Sequence, residues 1–204
     1  MMHTIKRIIY LGYDEFLPIH LQQRVMATNI ISLVLLFLVS LPCIIVSLIY
    51  LPPWVVIVPL ACALTCAFVF LANTFGRILY ARFGLAVIPI VLAGIYNAMV
   101  SSPTEGPVPG LLMIELGFIL IPFVLLDLHE KKLIVVSSLI SLIMMMGFPV
   151  FGQWLTLDIE TSLFRKGWLH LFLSFTGVVT TLGCMWGIKV IHQQTNKLKI
   201  SRIN

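Results

Sequence analysis

The stretch Ala27-Thr-Asn-Ile-Ile-Ser-Leu-Val-Leu-Leu-Phe-Leu-Val-Ser-Leu-Pro-Cys-Ile-Ile-Val-Ser-Leu-Ile-Tyr50 and, after Leu51 and Pro52, Pro53-Trp-Val-Val-Ile-Val-Pro-Leu-Ala-Cys-Ala-Leu-Thr-Cys-Ala-Phe-Val-Phe-Leu-Ala72 decide the fold. Neither contains a charged side chain, and each reaches the roughly 20 residues that a helix needs to cross the hydrocarbon core of a bilayer. So tight a connection makes them an antiparallel hairpin.

Working outward, four further apolar stretches follow: Phe83 to Val100, Leu111 to Leu126, Leu133 to Phe148 and Trp168 to Ile191. Between them lie a short basic loop (Asn73 to Arg82), a Pro- and Gly-rich loop (Ser101 to Gly110), a charged turn (Asp127-Leu-His-Glu-Lys-Lys132) and a polar connection (Gly152 to Gly167). The chain is 60% hydrophobic and only 10% charged, with a mean hydropathy of +1.07. A soluble domain carries about 25% charge, so lipid is the expected solvent. The sequence therefore predicts an all-α, six-span, multi-pass bundle covering 27–191, preceded by an N-terminal segment (1–26) and followed by a tail (192–204).

Charge placement predicts the orientation. Lys6, Arg7, Arg24, Arg77, Arg82, Lys131, Lys132, Lys189, Lys197, Lys199 and Arg202 fall on one side of the weave, and only Arg165 and Lys166 on the other. Cationic loops stay in the cytoplasm, so both termini are predicted there. Tyr50, Trp154 and Trp168 then fall at the outer interface, where amphipathic rings collect. The net charge of +5 is explained by topology and anionic headgroups, with no nucleic-acid partner implied. The first 26 residues lack a cleavable-leader pattern, so the first span itself is the targeting signal. Residues 3–24 alternate apolar and polar side chains at helical spacing, interrupted at Gly12 and Pro18; they read as an amphipathic segment lying on the membrane or as a solvated N-terminus.

Polar side chains inside the spans are the candidate functional residues. Tyr96, Asn97, Glu115 and His170 lie about one turn from the outer ends of spans 3, 4 and 6, hence at a common depth. A carboxylate there is costly unless it is protonated or partnered, and His170 is the natural partner for Glu115. These four residues are a candidate ligand pocket open to the outer side; the alternative is a hydrated link between helices at the headgroup boundary. One carboxylate and one imidazole are too few for a metal site, and Cys43, Cys62, Cys66 and Cys184 lie inside spans as packing residues with no zinc spacing.

In span 6, Gly183-Cys-Met-Trp-Gly187 has the small-xxx-small spacing that lets two helix backbones approach closely. Beyond it, Ile188, Ile191, Thr195, Leu198 and Arg202 follow three- and four-residue steps, the period of a coiled-coil seam. Gly183, Gly187, Ile191 and Leu198 are therefore the candidate homodimer interface; a basic tail on lipid headgroups is the alternative. No phosphate-cradling loop, Gly-x-Ser-x-Gly or His-Glu-x-x-His occurs, and no catalytic residue or cofactor is expected within these 204 residues.

Leu17-Pro-Ile-His-Leu-Gln-Gln-Arg24, Ile121-Pro-Phe-Val-Leu-Leu-Asp-Leu-His-Glu-Lys-Lys132 and Ser162-Leu-Phe-Arg-Lys-Gly-Trp-Leu-His170 together resemble the six-helix membrane region that precedes the cytosolic catalytic domains of bacterial sensor histidine kinases and class III adenylate and guanylate cyclases. The resemblance spans nearly the whole chain. It implies a dimeric sensor or anchor in a bacterial inner membrane, with Lys189 to Asn204 as the start of a signalling stalk. The departure from the pattern is that no kinase or cyclase domain follows Asn204, which implies a fragment of a longer product or a separate catalytic partner. Two other readings remain open: a substrate-binding subunit of a transporter, with Ala63 and Ala67 as a docking surface, and a structural subunit of a larger complex.

Overall fold

A computed structural model describes residues 8–13, 17–101, 106–127, 130–147, 154–155 and 162–201, with side chains in the last helix described up to residue 185 and at 189. The described residues are all-helical, with no strand. The first rod starts directly after Pro18, which cannot continue a helix backwards. It comprises α1 (Ile19–Val34), a π-helical turn (Leu35–Ser40) and α2 (Leu41–Tyr50). The widened turn sits just before Pro42, whose missing N–H and bulky ring disturb the hydrogen-bond ladder one turn upstream.

A single 3₁₀ turn (Pro53–Val56) leads into α3 (Ile57–Thr74). Helix α4 (Ile78–Val100) follows after only Phe75, Gly76 and Arg77. The basic loop expected from Asn73 to Arg82 is thus mostly helical. Gly76, at φ +70°, makes the abrupt reversal possible, because an L side chain is strained in that region. Helix α5 (Pro109–Leu125) begins with Pro at a position where its absent N–H costs nothing. Helix α6 (Lys131–Met146), a short α7 (Ser162–Arg165) and the long α8 (Gly167–Ser201) follow among the described residues.

Among the described residues, four segments are long and apolar enough to cross a membrane: Leu21–Tyr50, Pro53–Thr74, Ile78–Val100 and Gly167–Met185. Helix α5 is apolar but has 17 residues, about 26 Å of rise, and α6 has 16 residues with Lys131 and Lys132 in its first turn.

Helix α4 is central and packs on α1, α3, α5 and α6, while α8 lies chiefly along α5. The interior is filled by large side chains such as Leu35, Leu85, Ile90, Ile114, Phe118 and Leu125. The outside is equally apolar: Phe37, Leu48, Leu64, Phe68, Val135, Leu171 and Phe175 are exposed around the circumference. Apolar surface on this scale is incompatible with water as solvent and fits a hydrocarbon surround.

Residues 8–13 form a turn docked on the helix ends. Asn29 Nδ2 donates to the carbonyls of Ile9 at 3.0 Å and Leu11 at 2.9 Å, and Asn73 Nδ2 donates to Asn29 Oδ1 at 2.8 Å. Gly12, at φ +74°, lies so close to the Asn73 carbonyl that a Cβ has no room. This part of the N-terminal segment is therefore held to the bundle by two buried amides, which the amphipathic pattern did not disclose.

Candidate functional site

Asn97, and not the His170 expected from the sequence, meets Glu115, and the two form a sealed link between α4 and α5. Asn97 is 1% exposed and Glu115 2% exposed, and Asn97 Nδ2 donates to Glu115 Oε1 at 2.9 Å. Asn97 Oδ1 accepts from the Val108 backbone N–H and from Ser101 Oγ, both at 3.1 Å. One amide thus ties the end of α4, the chain entering α5 and the carboxyl group of α5. This satisfies buried groups that would otherwise each be left desolvated. Little capacity remains on Asn97 for a ligand.

Tyr96 and His170 are not part of that link. Tyr96 is buried and its hydroxyl pairs with Ser47 Oγ at 3.0 Å, joining α4 to α2 instead. His170, on α8, is half-buried, and its Nδ1 has no hydrogen-bond partner. No ion pair joins it to Glu115; the ion pairs among the described residues are Arg24–Asp127 and Arg82–Glu130. The four residues face different neighbours and do not come together as one pocket. Among the described residues no group of three or more His, Cys, Asp or Glu could hold a metal ion.

The seam between α5 and α8 is built from other glycines than those singled out in the sequence. A Cβ on Gly177 would lie 2.5 Å from the backbone carbon of Met113, one on Gly110 2.8 Å from Leu173 Cβ, and one on Gly117 3.0 Å from Thr180 Cγ2. These three absences of side chain let the two backbones touch. Gly183 has nothing within 4 Å and lies on the exposed face that also carries Leu171, Phe175, Val178, Leu182 and Met185. The side chains of Ile191 and Leu198, and the surroundings of Gly187, lie outside the described residues, although the helix backbone runs through all three positions. The connection carrying Asp158 and Glu160 also lies outside them.

At the opposite, basic end lies a cluster that sequence reasoning missed. Arg24 on α1 and Arg82 on α4 are both buried. Arg24 Nη1 donates to the carbonyls of Val124, at 3.2 Å, and Leu126, and its Nε lies 3.5 Å from Asp127 Oδ2. Arg82 grips Glu130 with two bonds, Nη1 to Oε2 at 3.0 Å and Nη2 to Oε1 at 2.8 Å, while Nη1 also reaches the Leu125 carbonyl at 3.3 Å. Glu130 Oε2 in turn accepts the Asp127 backbone N–H at 2.7 Å. Two guanidinium groups therefore cap the carbonyl end of α5, where the helix dipole is negative, and the paired geometry is one that Arg and not Lys supplies. The available signal was an arginine just before each of two spans, on the same side as a turn bearing two carboxylates.

Comparison with known proteins returns no match, whether to a family model, to a curated protein or to a solved structure.

Proposed function

We propose that this chain is a sensory and dimerisation module of a bacterial inner membrane. It crosses the bilayer six times with both termini in the cytoplasm, and relays a change at the Arg165 and Lys166 end to a cytoplasmic kinase or nucleotide cyclase domain. The observation that carries the reading is α8. Its apolar stretch ends at Ile191, yet the same helix continues through the polar and basic residues His192 to Lys199 as far as Ser201. At 35 residues it is about 52 Å long, well beyond the ~30 Å of a hydrocarbon core. A rod that leaves the membrane without a break carries rotation or translation outward, whereas a loop would absorb it.

Six crossings need α5 and α6 to span although both are short, which local thinning or polar ends tolerate at modest cost. The Arg24, Arg82, Asp127 and Glu130 cluster supports the orientation, since it places the α5–α6 turn beside α1 and α4 at the end bearing Arg77, Lys131 and Lys132. The transporter-subunit reading needs an enclosed substrate cavity. The internal space between Ser40, Cys43, Cys62, Tyr96 and Phe118 has a volume of about 30 Å³, which suits one or two waters.

The test is stoichiometry in lipid nanodiscs, read by native mass spectrometry or single-molecule photobleaching. The wild type is expected to be a dimer, and the double substitution Gly183→Leu, Gly187→Leu a folded monomer. A wild type that stays monomeric at all protein-to-disc ratios defeats the proposal.

A further inference from the structure

Helix α6 presents an outward face with cations at its head and hydrocarbon side chains below them. Lys131 and Lys132 open the helix and are exposed. Val135 and Leu139 follow Lys131 at steps of four residues, and Val136 follows Lys132, so each set shares a face of the helix. Val135 is 64% exposed and Leu139 54%. The first turn therefore stands where the apolar exterior ends, at the level of lipid headgroups, and the next two turns lie against acyl chains.

The positive charge at this head is uncompensated. Asp127 and Glu130 are the carboxylates described at this end, and both are engaged by the buried arginines. Asp127 lies 3.5 Å from Arg24 Nε, and both oxygens of Glu130 accept from Arg82. Glu130 is the residue before α6, yet its carboxylate does not cap that helix. The Glu130 carbonyl accepts from the N–H groups of Leu133 and Ile134, so those of Lys131 and Lys132 stand ahead of the hydrogen-bond ladder, at the positive end of the helix dipole. The bonds from Arg82 to Glu130 also draw the start of α4 to the start of α6. Arg77, the exposed N-cap of α4, stands at the same end. Arg77, Lys131 and Lys132 have no ion-paired or hydrogen-bonded side chain among the described residues.

We propose that this face binds one anionic phospholipid. Its phosphate is held by Lys131, Lys132 and the open N–H groups of α6, with Arg77 on the flank, and its acyl chains run along Val135, Val136 and Leu139. Cations with no carboxylate left beside them select a headgroup of net negative charge, because the ammonium group of a zwitterionic lipid finds no acceptor there. The apolar turns below the lysines favour a lipid over free phosphate, which gains nothing from them. The bound lipid adds a second tie between α4 and α6 outside the Arg82–Glu130 pair, and it is independent of the sensor reading.

The test is a titration of the full chain, purified free of lipid in a mild detergent, with phosphatidylglycerol, phosphatidylcholine or glycerol phosphate, the adducts being counted by native mass spectrometry. A saturable adduct of one phosphatidylglycerol per chain is expected, about tenfold tighter than phosphatidylcholine, with no adduct of glycerol phosphate. Lys131→Gln and Lys132→Gln, on exposed side chains, should each weaken phosphatidylglycerol about fivefold, the effect of one cation near an anionic headgroup, and leave the lipid-free thermal midpoint in place. Lys189→Gln, which removes an exposed cation from α8, should not change it. Equal binding of phosphatidylcholine, equal binding of glycerol phosphate, the absence of a saturable phosphatidylglycerol adduct, or wild-type affinity in the Lys131→Gln, Lys132→Gln double variant overturns the proposal. None of these outcomes bears on the dimer, which has its own test.

Discussion

Asn97 shows how one side chain can carry more structure than a span of leucines. Its amide satisfies the Glu115 carboxyl, the Val108 N–H and the Ser101 hydroxyl together. Asn97→Leu leaves three buried groups without partners, at about 1–3 kcal/mol for each, and is expected to lower the thermal midpoint in detergent sharply. Glu115→Gln retains an acceptor for Asn97 and should unfold close to the wild type. If Glu115→Gln and His170→Ala both leave the proposed signalling output unchanged, these residues are structural. Arg82 and Glu130 allow a cleaner measurement, because each is replaceable by Met. A double-mutant cycle on unfolding is expected to give a coupling of about 1–3 kcal/mol, with the double variant more stable than the Glu130→Met single, since that single leaves the buried Arg82 unpaired, and an unpaired buried charge is worse than none. That Glu115 would be buried and partnered was legible from its position in an apolar span. That the partner is Asn97 and not His170 was not, because shared depth says nothing of helix rotation.

Helices α5 and α8 pack through glycines that the small-residue spacing in the last span did not single out, since that spacing points to a contact between two copies of the chain. Gly183 and Gly187 have the spacing of a close crossing, but the contact is made by Gly110, Gly117 and Gly177. Gly177→Leu is therefore expected to destabilise the monomer by about 1–3 kcal/mol, as overpacking of a tight seam does, whereas Gly183→Leu should leave the unfolding midpoint unchanged and act on association alone. Equal loss of stability in both variants, measured by thermal melting in nanodiscs, would contradict this division of roles. The extents of the helices were largely readable. Proline and glycine mark most ends: Pro18 before α1, Pro53 at the 3₁₀ turn, Pro109 at the start of α5, Gly76 in the turn before α4 and Gly147 after α6. The π-helical turn at Leu35–Ser40 was not readable, because Pro42 demands some distortion without specifying which.

The molecule as a whole is a bundle whose apolar exterior fits a lipid surround, with two buried arginines paired to half-buried carboxylates at one end. Its orientation is testable with single cysteines in a background lacking Cys43, Cys62, Cys66 and Cys184. Lys189→Cys should react only from the cytoplasmic side and Lys166→Cys only from the outside; reaction of both from one side contradicts the proposed weave. From the sequence alone came the all-helical class, the need for a bilayer and the clustering of basic residues at the ends of the rods. These depend on length, hydropathy and charge, which are properties of each stretch by itself. Only the tertiary structure decided that Arg24 and Arg82 cap α5 and that Asn97 seals Glu115. Those outcomes depend on how each rod is rotated about its own axis, and in a chain apolar on nearly every face no hydropathy pattern records that rotation; close-range packing and hydrogen bonding choose it.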